Sequence, residues 1–427
     1  MKNINQLLKQ QIELVKPRKD TFKVIKKTSE EFCRSLTSKL KSKKIKADVF
    51  IGGSLAKGTL IKKKKYDVDV FVRFDKNYED DKISGILRKV LGNRAKKIHG
   101  SRDYYKMMVD GIIFEVIPVI KIKKINEARN ITDLSYFHVN YINKIVNKNK
   151  KLADEIILAK TFAHAQNCYG AESYIHGFSG YSLELLICHY GSFLNFVKQM
   201  AKAKPVAINS KDKIVIDDKK FYKNKNQVLM ELNEAKLQSP IILIDPTFRE
   251  RNALAGLSSE TFNRFVKSCK EFLKKPNEKS FVQKNTGEEL KTKYKNELKM
   301  VEIKTSKQAG DIAGSKSKKF FEFFVSGLEK EFMVKLKAFD YDDEKNTALF
   351  YLVLEKKKDE IVQGPKIIDI ENLTRFKKAH KNAFIKNHIA YAKIKHDLSF
   401  KEFIKIFRTK YKKIIEEMSV KEIRLVK

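Results

Sequence analysis

"IGGSLAKGTLIKKKKYDVDVFVRF", residues 51–74, sets two glycines and a serine ahead of a lysine run and then places Asp67 and Asp69 one residue apart in an apolar stretch. "YDVDVFVRF" alternates with period two, so one face carries Asp67, Asp69 and Phe71 and the other Val68, Val70 and Val72. An extended chain rises about 3.3 Å per residue, which puts the two acids roughly 6.5–7 Å apart at their roots, near enough for their carboxylates to converge on one ion. Further along, "YYKMMVDGIIFEVIPVIKI" reads as a hairpin turning at Asp110-Gly111. If "IIFEV" pairs beside "DVDVF", Glu115 supplies a third carboxylate, and acids so close repel unless cations join them.

Magnesium takes oxygen ligands and bridges carboxylates to substrate phosphates, so the three acids are candidate Mg2+ ligands. The "GGS" turn leaves backbone N–H groups at Gly53 and Ser54 free to approach a triphosphate, helped by the Ser54 hydroxyl. Lys57 and Lys62–Lys65 can meet its charge. Taken alone, the lysine run reads as a solvated face.

Composition bounds the partners. The chain has 427 residues, too many for one core, so two or three domains are expected. Ninety Lys and Arg against fifty-two Asp and Glu give a formal charge of +38, which points to a polyanion, DNA or RNA, although a genomic nucleotide bias also enriches lysine. Cys33, Cys168, Cys188 and Cys269 lie in no metal or disulfide spacing and read as buried thiols of a reducing compartment. No apolar run is long enough to span a bilayer and no secretory signal is evident, so a cytoplasmic protein with no membrane partner is expected.

Apolar positions from residue 5 to about 45 fall at helical spacing, and "ADVFIGGS" then reads as a strand entering a turn, so the first 125 residues are expected to form a helix-flanked sheet. Helical spacing returns in "KKLADEIILAKTFAHAQNCYG" and "GYSLELLICHYGSFLNFVKQM", with "AESYIHGFSG" as the loop between. Residues 202–240 read as polar with short strands, "IILIDP" as a strand, and "SSETFNRFVKSCKEFLKK" as a serine-capped helix. The polar stretch 275–295 reads as a boundary before a last α+β module, with helices expected around "ENLTRFKKAHKNAF" and "FKEFIKIFRTKYKKIIEEM". Expected domains are therefore 1–145, 146–275 and 276–427. In the last, Phe320, Phe321, Phe323, Phe324 and Leu328 at helical spacing favour core packing over a base-stacking platform.

"GGS", twelve residues, then "DVD" resembles the signature of the DNA polymerase β-like nucleotidyltransferases. "SYFH" (135–138), "LAKTF" (158–162), "YGAESYIHGFSGYSLELLICHYGSF" (169–193) and "IDPTFRERNALAGLSSETFNRFV" (244–266) narrow the resemblance to the archaeal, class I CCA-adding enzymes, or tRNA nucleotidyltransferases. The resemblance covers nearly the whole chain, most specifically 50–75 and 135–266. It implies an α+β multidomain fold: a polymerase β-like nucleotidyltransferase head with a small mixed sheet, a helical central domain and a C-terminal α+β RNA-binding domain.

It also implies template-independent addition of C, C and A to the 3′ end of tRNA from CTP and ATP, with Mg2+ as cofactor. The acceptor and T arms would be gripped by the C-terminal module, and a homodimer is compatible with the resemblance. Asp67, Asp69 and Glu115 would be catalytic metal ligands. Gly53, Ser54 and Lys57 would contact the triphosphate. Ser135, His138, Lys160 and Tyr169 would line ribose and phosphates, and Arg251 would read the incoming base, with Asn252 a weaker neighbour. Two positions depart from the family pattern. Glu115 stands where the family has aspartate, one methylene longer, and Lys57 stands for arginine, keeping the charge without the bidentate fork. The alternatives are a poly(A) polymerase-like tailing enzyme and a catalytically silent RNA-binding relative.

Overall fold

The computed structural model describes residues 4–204, 213–283, 286–307 and 310–426. They divide into two compact units, 1–284 and 285–427.

In the first unit the amphipathic helices α1 (Ile4–Val15) and α2 (Lys19–Ser42) replace the single run expected from periodicity. Between them lies Pro17, which lacks a backbone donor and disfavours helix at the residue before it. Strand β1 (Ala47–Ile51) then enters the one-turn helix α3 (Gly53–Ala56), followed by β2 (Tyr66–Phe74), α4 (Ile83–Leu91), β3 (Lys96–Ile98), β4 (Tyr104–Val109) and β5 (Ile112–Ile120). The β4–β5 hairpin turns through Asp110 and Gly111, both at positive φ (49° and 76°), which a right-twisted two-residue turn requires.

The sheet order is β1-β2-β5-β4-β3, with β2 and β5 parallel and Asp69 in register with Glu115. Alternation decides the two faces. Val68, Val70, Val72 and Phe74 join Leu36, Leu40, Leu87 and Phe114 in one core, each such side chain contributing roughly 1.5–3 kcal/mol by burial. The acids take the opposite face.

Helices α5 (Ser135–Lys148), α6 (Lys151–Ala165), α7 (Gly180–Tyr190) and α8 (Phe193–Lys202) build the middle of the unit around Phe162, Phe178, Phe193, Phe196 and Phe265. Ser179 and Ser192 cap α7 and α8 through their side chains, which is why each helix begins just after a serine. The region 202–240 holds, among its described residues, β6 (Ile214–Ile216) and two short helices, α9 (Lys225–Glu231) and α10 (Glu234–Leu237). β6 adds to β7 (Ile241–Asp245) and β8 (Phe248–Asn252) in a three-stranded sheet, and α11 (Ser259–Lys274) follows with Ser258 as its cap.

The second unit opens with α12 (Thr286–Tyr294), inside the polar stretch 275–295 read as a boundary. Its main sheet has the order β10-β11-β9-β15 (Phe332–Asp342, Thr347–Lys356, Leu298–Thr305, Val420–Val426) and packs on α13 (Asp311–Glu331). A second sheet joins β12 (Glu360–Lys366), β14 (Ile389–Ile394) and β13 (Ala383–Lys386), with α14 (Ile370–Ala379) beside it. The end of "ENLTRFKKAHKNAF" is thus strand rather than helix. α15 (Phe400–Lys410) and α16 (Lys412–Glu417) complete the unit. Phe320, Phe321, Phe324 and Leu328 are buried and pack against Phe350, Phe403 and Phe407, so this stripe is core.

All four cysteines are free thiols; burial pushes Cys33 up to about 11 and Cys168 and Cys188 up to about 12. No helix among the described residues is long and apolar enough to cross a membrane.

Candidate active site

The site starts where β1 ends. Gly52 N–H donates to the Asp69 carbonyl at 2.8 Å, pinning the turn across β2. Gly53 has φ +57°, and a Cβ there would stand 1.7 Å from Asp69 Oδ2; one at Gly52 would stand 2.3 Å from Phe71. The paired glycines are therefore dictated by the side chains beneath them, because the backbone passes where any Cβ would collide with the carboxylate or the ring.

Asp69 keeps a solvent-facing edge although protein surrounds it. Burial first, then repulsion from Glu115 and Asp67, pushes its carboxyl up to about 7. The parallel pairing of β2 and β5 thus brings three acids together, and two of them hold lysines: Asp67 pairs with Lys63 at 2.7 Å and Glu115 with Lys106 at 2.8 Å. In this arrangement, among the described residues, no group of three acidic, imidazole or thiol side chains forms a ready metal cage. The donor set is nevertheless all carboxylate oxygen from adjacent strands, and the repulsion that adds to burial in raising Asp69 is what a hard divalent cation would relieve.

Next to the turn, Lys57 is almost fully buried and donates to Glu184 Oε2 at 2.6 Å. Lys160 donates to Glu184 Oε1 at 2.8 Å and to Thr59 Oγ1 at 2.9 Å, while Thr59 in turn donates to Glu184 Oε1 at 3.3 Å. Burial alone would raise Glu184, but the two ammonium groups outweigh it and hold its carboxyl below the ordinary value; burial lowers Lys160. One anion carrying two cations leaves a net positive charge behind the turn.

Tyr181 links this network to a second hub. It lies with its ring 6.0 Å from Lys57 Nζ, stacks on His138 at 4.2 Å between centroids, and donates from its hydroxyl to Asp245 Oδ1 at 3.0 Å. Asp245 Oδ2 also takes Arg251 Nη1 at 2.5 Å and lies 3.1 Å from His138 Nε2. Burial pushes Asp245 up, yet His138, Arg251 and Thr247 prevail and hold it well below the usual carboxylate range. His138 is lowered by burial in spite of that partner. Ser135 is half-buried three residues before His138, on the same side of α5.

Tyr169 stacks on His164 at 3.8 Å, and its hydroxyl abuts Gly180, where an added Cβ would sit 2.9 Å from it. Asn252 serves the backbone: its amide oxygen accepts from Leu243 and Leu254 and its nitrogen donates to Lys236 and Ile241 carbonyls.

Glu184, Asp245, Tyr181, Thr59 and His164 were not among the residues expected from sequence. Glu184 and Asp245 had a signal, each a single acid inside a run otherwise apolar enough to be buried, "SLELL" and "IILID". Such an acid is rarely buried without cationic partners.

A glycine turn packed on a carboxylate triad, backed by buried lysines, defines a nucleotidyltransferase, and the comparisons with known proteins agree. Residues 33–153 match the nucleotidyltransferase domain and residues 154–282 the second domain of tRNA nucleotidyltransferase. The CCA-adding enzyme of Nanoarchaeum equitans is 33% identical over 344 residues, covering 79% of this chain and 81% of that protein. That of Methanocaldococcus jannaschii is 28% identical over 409 residues, covering 93% and 88%. Among solved structures, the Cid1 poly(U) polymerase shares the fold, with TM-score 0.51 at 14% identity over 66% of this chain and 99% of that one. The chain belongs to the archaeal CCA-adding enzymes. Divalent metal ions are general in nucleotidyltransferases.

Proposed function

We propose that this protein adds C, C and A to the 3′ end of tRNA from CTP and ATP, without a nucleic-acid template and with release of pyrophosphate. The observation that supports the reading most is the packing of the Gly53 backbone directly over the Asp69 carboxylate, with Asp67 on the same strand and Glu115 in register beside it.

In this reading Asp67, Asp69 and Glu115 would hold Mg2+, which would supply positive charge to polarise the attacking 3′-hydroxyl and to neutralise the departing pyrophosphate. Gly53 and Ser54 present N–H and hydroxyl groups to the triphosphate, and Lys57 and Lys160, fixed on Glu184, add positive charge that needs no rearrangement. Ser135, His138 and Tyr169 orient ribose and phosphates. Arg251, held by Asp245, faces the base. Positioning and fixed charge do most of the work, as phosphoryl transfer demands. Residues 1–145 would house the chemistry, 146–275 the nucleotide, and 276–427 the acceptor and T arms, gripped through phosphates and 2′-hydroxyls as an A-form helix requires. The compartment is the cytoplasm.

The test is product length. Purified protein is offered a tRNA minihelix lacking its tail, with Mg2+ and CTP, ATP or both. Two residues added with CTP and three with both nucleotides are expected. An open-ended tail would turn the reading toward a poly(A) polymerase-like enzyme, and no incorporation would overturn it.

A further inference from the structure

The sheet order puts the two substrates on opposite sides of the acids. The Gly52-Gly53-Ser54 turn continues β1, on one side of Asp67 and Asp69, whereas Glu115 lies on β5, on the other side. Beyond Glu115, the same face of β4 and β3 carries Tyr104, Lys106, Met108 and Lys96, with Met108 62% exposed and Lys96 in register with Lys106. Displacement at phosphorus runs in line, with nucleophile and leaving group opposed. With a triphosphate anchored at the turn, as in the function proposed above, on which this inference rests, the attacking RNA strand must cross β5 and β4.

Lys106 stands on that path. It is the directly opposed cross-strand partner of Glu115, and its ammonium lies 2.8 Å from Glu115 Oε1. Both side chains keep solvent access, 38% and 23% exposed, so the pair can part without leaving a charge buried. Lys106 also carries a flexible four-carbon stem, able to swing an ammonium over several ångströms. Once Glu115 is taken by a cation, the lysine faces added positive charge, with Lys96 in register across the ladder, and a phosphodiester of an RNA strand on this face would supply a compensating anion.

We propose that Lys106 is a positioning residue with two successive partners: it holds Glu115 in the metal-free protein and turns to the phosphodiester next to the RNA 3′ end when Glu115 is given over to a divalent cation. The longer Glu115 side chain suits the exchange, since its extra methylene extends the carboxylate's reach toward β4.

The test compares wild type, K106M and E115D. Mn2+ uptake is read by electron paramagnetic resonance without nucleotide, and binding of tRNA lacking its tail by anisotropy with and without Mn2+. K106M, folded by circular dichroism, should tighten Mn2+ binding roughly three- to tenfold. It should weaken RNA binding several-fold only when Mn2+ is present, and lower the salt slope by about one. Its KM for tRNA should rise while its KM for CTP stays. E115D, which retracts the carboxylate from Lys106, should tighten Mn2+ in the same direction. Unchanged Mn2+ affinity in both variants, or an RNA defect equal with and without Mn2+, would overturn the exchange. If wild type itself takes up no Mn2+, the carboxylate reading fails and Lys106's role with it.

Discussion

Of the three acids at the proposed site, Asp69 is the one that no lysine pairs with directly. Lys63 sits on Asp67 and Lys106 on Glu115, while Asp69 lies between them under the glycine turn. Its carboxyl, raised from an ordinary 3.8 to about 7 by folding, favours the folded protein when protonated. Its contribution is therefore complete below about pH 4 and is lost as pH rises through about 7, a cost of up to about 4 kcal/mol without metal. In the presence of a chelator, the urea midpoint of D69N should fall less than that of wild type between pH 4 and pH 7; parallel curves would count against the crowding of the three acids. D69A should stay folded and lose roughly 10²–10³-fold or more of its nucleotide incorporation. Near-normal turnover would remove Asp69 from the mechanism.

At the scale of elements, the proposed function rests on how closely the β1 turn approaches β2. G53A demands both a left-handed backbone with a side chain and a methyl group 1.7 Å from Asp69 Oδ2, so turn and strand must part. A loss of about 1–3 kcal/mol in stability and a marked rise in KM for CTP are expected. Gly58, also at positive φ (+67°) but with open space where its Cβ would go, is the control: G58A should cost about 1 kcal/mol and leave KM for CTP in place. Equal nucleotide-binding losses in the two variants would mean that backbone strain, not the approach to Asp69, sets the geometry. The helices α6 and α7 answer from the other side, each giving one residue to the Lys160–Glu184 pair that backs the turn. Alternation and helical spacing made the sheet face, the hairpin and the serine-capped helix α11 readable beforehand. The strand Ala383–Lys386 was missed because 4 residues are too few to show a period, and the helix Thr286–Tyr294 because its polar sequence carries none.

Across the whole molecule, +38 of formal charge on 427 residues makes RNA binding an ionic event. Affinity for tRNA should drop roughly 10³-fold or more between 50 and 200 mM salt if six or more phosphates are engaged. Anisotropy titrations check this, and a flat response would leave the lysines as solvated surface. The sequence alone determined the acid pair, the turn before it, the core faces and the family, because each of these is written in contacts or periods within a few residues. Only the tertiary structure decided which distant groups neutralise one another. Lys57 and Lys160 meet on Glu184, and His138 and Arg251 on Asp245, across separations of 24 to 127 residues except for the Arg251 pair. A buried charge chooses its partner by proximity in a low-dielectric interior, and that proximity exists only after the chain has folded.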